Sequence, residues 1–287
     1  MKRVICENQL GAKIEFKYDG YPLRLADTSG FSAADYEVST SKNSGQDGES
    51  YNGATAQKRN PIITAEIFRD YQAQREKLYS FFQPRTAGTV YYYDNDVGRK
   101  AEYYVEKVEV EESGTVRAAT ISLICPDPKF YDLEDQLTQL ATWQGRITFP
   151  LRIHPPFVVA EKMNTLIGNV HNGSAVPMGL TVRFSASGEV VNPSLYDVNR
   201  HDLMQIGTAD QPMTMHIGDV IIITTGDGNK RVRLISGGAT TNINNMMAYP
   251  PRWLQAQQGD NLYRYNADQG IDSLNVSILS TEAYWGA

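Results

Sequence analysis

The chain has 287 residues, of which 41% are hydrophobic and 21% charged, and its formal net charge is -6. That length allows one large or two ordinary domains, each able to bury a full core. Residues 1–134 carry 17 Lys+Arg against 21 Asp+Glu and residues 135–287 carry 10 against 12, so neither half is a basic nucleic-acid-binding module.

The opening residues, Met1-Lys2-Arg3-Val4-Ile5-Cys6, run straight into Glu7, which leaves no apolar stretch for a signal peptide. The strongest apolar run, Val220-Ile221-Ile222-Ile223, is too short to span a bilayer. The expectation is a chain made and folded in a cytoplasm, without membrane insertion. Cys6 and Cys125 are the two cysteines, too few for a disulfide framework, and read as reduced, buried small residues. Twelve of the 17 tyrosines fall before residue 135. Tyrosine combines a large contact area with a polar tip and suits interfaces, but it also favours strands.

Residues 40–60 are polar and nearly free of aliphatics, with Tyr51 as the one anchor. In an isolated domain such an arm is mobile, and a partner would order it. Ile63, Ala65 and Ile67 then alternate with Thr64, Glu66 and Phe68 as a half-buried strand. A helix follows: Asp70 is placed to cap it, Tyr71, Arg75, Leu78, Tyr79 and Phe82 share one face, and Pro84 stops it. Tyr91-Tyr92-Tyr93 reads as a strand, and Asn95-Asp96-Val97-Gly98 and Glu112-Ser113-Gly114 read as hairpin turns.

Cys125-Pro126-Asp127-Pro128-Lys129-Phe130-Tyr131 marks a junction. The two prolines lack an N–H and fix φ, so the strand Thr120–Ile124 cannot continue. The chain is expected to leave its sheet as a stiff connector docked by Phe130 and Tyr131. Leu133, Leu137 and Leu140 recur at helical spacing, so 133–142 predicts a short helix or a linker. Beyond it, Leu180/Val182/Phe184 and Leu274/Val276/Ile278 alternate as strands, and 217–224 pairs with 231–235 as a hairpin around Gly226-Asp227-Gly228-Asn229. A further turn is read at Ser236-Gly237-Gly238.

Catalytic and metal constellations do not emerge from the sequence. His154, His171, His201 and His216 have no metal-site spacing among them, and no nucleophile elbow, phosphate loop or dinucleotide fingerprint occurs. Asp94-Asn95-Asp96-Val97-Gly98 lacks the third carboxylate and closing Glu of a calcium loop. The expectation is a non-enzyme with no cofactor and no metal.

The order of several segments carries a resemblance. An extended arm holds Gly45-Gln46-Asp47-Gly48 and Tyr51, and Arg59-Asn60-Pro61 leads into a strand. The helix ends in Phe82-Gln83-Pro84, a triple-tyrosine strand follows, and the half closes with Cys125-Pro126-Asp127-Pro128-Lys129-Phe130-Tyr131. In the second half, Phe149-Pro150-Leu151, Asn169–Pro177 and Gly218-Asp219-Val220–Thr225 continue the series. This series resembles the distal tail proteins of siphophage-type tails. The resemblance implies a mainly β chain: an N-terminal β-rich belt domain with one α-helix (1–132), a linker (133–145) and a C-terminal galectin-like β-sandwich (146–287). It implies six copies in a ring at the distal end of a virion tail, assembled in the host cytoplasm. The ring would join the tail tube protein to tail-tip, baseplate and receptor-binding proteins, and DNA would pass its lumen without specific binding.

Under that resemblance Gly45, Asp47, Gly48, Tyr51 and Arg59 form the ring-interface arm, and Cys125, Pro126, Asp127, Pro128, Phe130 and Tyr131 form the domain junction. The alternative is a carbohydrate-binding adhesin acting through the second sandwich, with Tyr249, Trp253 and Tyr263 as sugar-stacking rings. A cell-wall hydrolase is the third reading, and no residue pair among the 33 acids marks it.

Overall fold

The computed structural model describes residues 2–45, 47–112, 114, 117–145, 160–164 and 167–287. The expected features at Gln46, Ser113, Phe149-Pro150-Leu151 and His154-Pro155-Pro156 lie outside the described residues. The chain forms two compact units: residues 1–133 with 283–287, and residues 134–282.

The first unit contains β1 (Arg3–Asn8), β2 (Lys13–Lys17), β3 (Leu23–Ser29), β4 (Tyr36–Ser41), β5 (Ser50–Ala56) and β6 (Ile62–Ile67). Then come α1 (Tyr71–Phe81), β7 (Ala87–Asp94), β8 (Val97–Val110), β9 (Arg117–Ile124) and β10 (Phe130–Tyr131). Strands β8, β7, β1, β2, β3, β6 and β9 follow one another, and β9 returns to pair with β8, so the sheet closes into a barrel. Closure is possible because β8 is long: Val97–Tyr104 pairs with β7 and Tyr104–Val110 pairs with β9. A closed sheet leaves few strand edges for unwanted pairing.

The period-two patterns fill the barrel as expected. Val4, Cys6, Ile14, Phe16, Ile63, Ala65, Val90, Ile121 and Leu123 point inward and are buried. The triple tyrosine splits by the same rule: Tyr92 is buried, and Tyr91 and Tyr93 lie beneath Lys13 (5.6 Å) and Arg3 (4.1 Å). The turn between β7 and β8 is Asn95-Asp96, with Asn95 at φ 55°, a conformation asparagine tolerates.

Helix α1 occupies the expected span with a different start. Asp70 enters in the left-handed region (φ 51°) and its side chain makes no cap; its carbonyl accepts the Gln74 N–H at 2.9 Å. Of the predicted face, Leu78 and Phe82 are buried in the core, Tyr71 is half-buried and Tyr79 is exposed.

The second unit is a β-sandwich. One sheet runs in the order Gln136–Gln139, Leu274–Ser280, Met178–Ala186, Val220–Thr224, Arg231–Ser236 and Ala239–Asn242, with Gln255–Ala256 paired to the third of these. The other runs Ile167–Asn172, Gly259–Asn266, Ser194–Asp197 and Asp202–Gln205. Leu180, Val182, Phe184, Val276 and Ile278 from the first sheet and Val170, Leu195, Tyr263 and Tyr265 from the second belong to one core. Each fully buried side chain of this size stabilises the unit by about 1.5–3 kcal/mol. The predicted hairpin is present, pairing Val220–Thr224 with Arg231–Ser236.

The expected helix or linker at 133–142 is replaced by strand. Gln136–Gln139 pairs with Ser277–Ser280, and Ala141–Gly145 pairs with Ala160–Asn164. Leu140 is buried and Leu137 is exposed, so the apparent helical repeat of leucines does not mark one face. Pairing with an established strand outweighs a weak local pattern.

Candidate assembly surface and the Arg59 junction

The predicted arm is an antiparallel ribbon. Strands β4 and β5 pair with each other and, among the described residues, with no further strand, in the register Tyr36↔Ala56, Val38↔Ala54 and, past a bulge, Thr40↔Tyr51. Successive side chains on a strand alternate between faces. Tyr36, Val38, Thr40, Tyr51, Ala54 and Ala56 therefore share one face, whereas Glu37, Ser39, Ser41, Ser50 and Thr55 share the other. Every residue of β4 is exposed, and Tyr51 is 69% exposed. Gly45 and Gly48, in the loop at the tip, both have positive φ (83° and 84°), and Asp47 lies between them. The sequence thus located the arm but missed its structure, although the alternation Tyr36-x-Val38-x-Thr40 carried the signal.

Arg59 is not on this ribbon. It is 5% exposed and all five of its guanidinium N–H donors are used. Nε (3.0 Å) and Nη2 (2.8 Å) donate to the Pro128 carbonyl, and Nη2 also donates to the Trp285 carbonyl at 2.6 Å. Nη1 donates to the carbonyls of Gly30 (3.0 Å) and Ser32. The guanidinium lies 4.5 Å from the centre of the Phe130 ring. Burial pulls its pKa below the ordinary arginine value. The bent fork of a guanidinium matches four carbonyls that a lysine could not reach together. Gly30 must be glycine here: its φ is +77°, and a Cβ would sit 2.2 Å from the Asn60 carbonyl oxygen.

The expected connector is part of the same cluster. Cys125 exchanges backbone hydrogen bonds with Arg59 (2.8 and 2.9 Å), which ends β9. Asp127, between the two prolines, accepts from the Lys129 N–H (3.0 Å) and the Tyr131 hydroxyl (2.5 Å). Pro126 and Pro128 flank that turn. Phe130 is fully buried and stacks on Phe31 at 6.0 Å. The connector does not leave the unit at once, because β10 rejoins the sheet beside β8. Its other neighbour is the strand Ala283–Tyr284, which no local sequence pattern places here. Burial pushes Cys125 up to about 12 and raises Cys6 as well, so both free thiols are inert.

The sugar-stacking candidates separate. Tyr249 is 92% exposed, Trp253 is half-buried against the sandwich core, and Tyr263 is 0% exposed. Tyr263 is thereby removed as a sugar platform: it alternates with Arg264 in phase with Tyr265, and the pair faces inward. Among the described residues no group of three metal-ligating side chains occurs. His171 Nδ1 lies 2.8 Å from Asp260, and His201 Nδ1 lies 2.8 Å from the Tyr196 hydroxyl. An open cleft of about 300 Å³ in the first unit is edged by Glu7, Tyr91, Glu102 and Tyr104. Tyr91 donates to Glu7 at 2.9 Å; that bond and Lys13 hold Glu7 below the usual carboxylate range, while burial and Glu7 push Tyr91 up to about 12. Such a tied pair is poorly suited to proton transfer at neutral pH. No helix among the described residues is long and apolar enough to cross a membrane.

Residues 11–125 match a family described as the phage tail protein RIFT-related domain. Over its length the chain is similar in fold to the SPP1 Dit (gp 19.1) protein, described as a paradigm of the hub adsorption apparatus in phages infecting Gram-positive bacteria. The TM-score is 0.69 at 14% identity, covering 99% of each chain. It is also similar to a chain of the phage P2 baseplate in its activated conformation with Ca (TM-score 0.53, 10% identity, 100% and 99% of the two chains). A chain of the phage p2 baseplate in its activated conformation with Sr gives a TM-score of 0.52 at 10% identity, covering 100% of both chains. A search of curated proteins returns no match. The domain and the fold together support a structural part in a phage tail or baseplate. Residues 11–125 thus match the phage tail RIFT-related domain, and the chain as a whole has a fold similar to that of the SPP1 Dit protein.

Proposed function

We propose that this protein is a ring-forming hub at the distal end of a phage tail, in which six copies join the tail tube to the tip, baseplate and host-adhesion proteins. The observation that carries this reading is the β4–β5 ribbon. It projects an apolar face that its own unit leaves exposed, and two-stranded ribbons are marginal in water unless such a face is covered. A head-to-tail contact of this ribbon with a neighbouring copy closes a ring. The closed barrel supplies the belt, and a galectin-like sandwich supplies the attachment surface for adhesion components. The modest negative charge of residues 1–134 disfavours phosphate contacts, in keeping with DNA passing the lumen unbound. Assembly takes place in the host cytoplasm, and the role is structural rather than catalytic.

Sedimentation velocity of the wild-type chain and of Val38→Asp and Tyr51→Asp tests the ribbon. Wild type assembles with rising concentration, and the two variants remain folded monomers. Assembly unchanged in both variants would remove the ribbon from the interface. The adhesin reading retains Tyr249 as an exposed ring, and it predicts glycan binding that Tyr249→Ala abolishes.

A further inference from the structure

The segment that follows the whole second unit in sequence, residues 283–287, is part of the first unit. Ala283 and Tyr284 pair with Tyr131 and Phe130, and the Arg99 guanidinium covers the Tyr284 ring at 3.8 Å. The segment then runs along residues 31–36, the lead-in to β4. The Trp285 carbonyl accepts from the Ala34 N–H at 3.1 Å as well as from Arg59. The Ala287 N–H donates to the Phe31 carbonyl at 3.0 Å. The Trp285 ring meets the Tyr36 ring edge-on at 5.6 Å, and Tyr36 is the first residue of the ribbon. The other leg of the ribbon is tied close by, through the Gln57 N–H to the Asp35 carbonyl (2.9 Å) and through Arg59 itself.

We propose that residues 283–287 are a clasp on the base of the β4–β5 ribbon, so that the ribbon takes its assembling position only after the second unit has been synthesised. This rests on the reading that the ribbon is the contact between copies. Its physical content is an ordering cost. A ribbon whose lead-in at residues 33–36 lacks these contacts samples more orientations, and each docking event must first fix one of them. A base held on both legs removes that cost. Chains still being made, or cut before residue 283, are then kept from joining a ring.

Hydrogen–deuterium exchange on dilute monomers, followed by assembly of the same samples at high concentration, tests the clasp. The samples are wild type, Trp285→Ala, Trp285→Phe, the chain ending at residue 282, and Val38→Asp. Loss of one edge-to-face aromatic contact speeds local opening roughly five- to tenfold, so exchange at Ala34 and Gln57 rises by that factor in Trp285→Ala. Assembly falls with it, and Trp285→Phe restores both. The chain ending at 282 exchanges faster still across 31–41 and 50–57. Val38→Asp loses assembly with unchanged exchange at the base. If Val38→Asp loses assembly while Trp285→Ala and the shortened chain assemble as wild type, the clasp is wrong and the ribbon interface stands. If Val38→Asp itself assembles, the ribbon interface is wrong and the clasp falls with it. Trp285→Ala keeps the backbone carbonyl that Arg59 binds, so its result holds even if the shortened chain does not fold.

Discussion

Replacing Arg59 by lysine separates the geometry of this residue from its charge. The guanidinium makes five hydrogen bonds to four carbonyls, and an ammonium has three donors on one nitrogen. At least two charge-assisted bonds are lost, and each is worth about 1.5–3 kcal/mol in a buried setting. The expected cost is therefore about 3 kcal/mol at the low end, a large part of a typical domain stability of roughly 5–15 kcal/mol. Urea unfolding followed by tryptophan fluorescence is the assay, because Trp285 lies at the site. With slopes of about 1–3 kcal/mol/M, the midpoint drops by roughly 1–3 M. Arg24→Lys is the control. Arg24 pairs with Glu66 at the surface, and such pairs are worth about 0–1 kcal/mol. An Arg59→Lys midpoint no lower than that of Arg24→Lys would refute the view that the fork geometry holds the junction together.

Three further outcomes follow from the same geometry. Cys6 and Cys125 are buried and raised, so at pH 8 neither reacts with a thiol reagent in the folded chain and both react in denaturant; prompt labelling of native protein would contradict the packing. Asp219 is held below the usual carboxylate range by hydrogen bonds from Ser236 and from the His216 N–H (2.8 Å). A depressed carboxylate stabilises the fold above its unfolded value, near 3.8, and that contribution disappears as pH falls through the lower folded value. The urea midpoint of wild type should thus exceed that of Asp219→Asn at pH 7, with the gap closing toward pH 2; a gap that widens on acidification would reverse the sign. Phe184→Ala opens the sandwich core and costs about 3–5 kcal/mol, read as a lowered melting transition, and a shift below about 1 kcal/mol would mean the site collapses around the void.

What the sequence made legible was local. Strand alternation at Ile63–Ile67, Leu180–Phe184 and Leu274–Ile278 mapped directly onto buried faces, because a two-residue period has one geometric solution. Gly-rich turns and the Pro84 stop were equally local. Arg59 was assigned to the arm by proximity, because its partners lie 27 to 226 residues away and leave no periodic trace. The return of residues 283–287 was hidden for the same reason. Tyr263 was the avoidable miss, since its alternation with Arg264 already placed it inside. The Leu133/Leu137/Leu140 repeat misled because three leucines at helical spacing weigh less than a full ladder to Ser277–Ser280.

The central claim is that copies of this chain close into a ring through the β4–β5 ribbon. Negative-stain electron microscopy of the purified wild-type chain at high concentration tests it most directly, scored for closed rings and their symmetry, beside a chain in which residues 38–54 are replaced by a two-glycine turn. The account predicts six-fold rings with a central hole for wild type and folded monomers for the shortened ribbon. Rings that persist without the ribbon, or a wild-type chain that stays monomeric at every concentration, would contradict it.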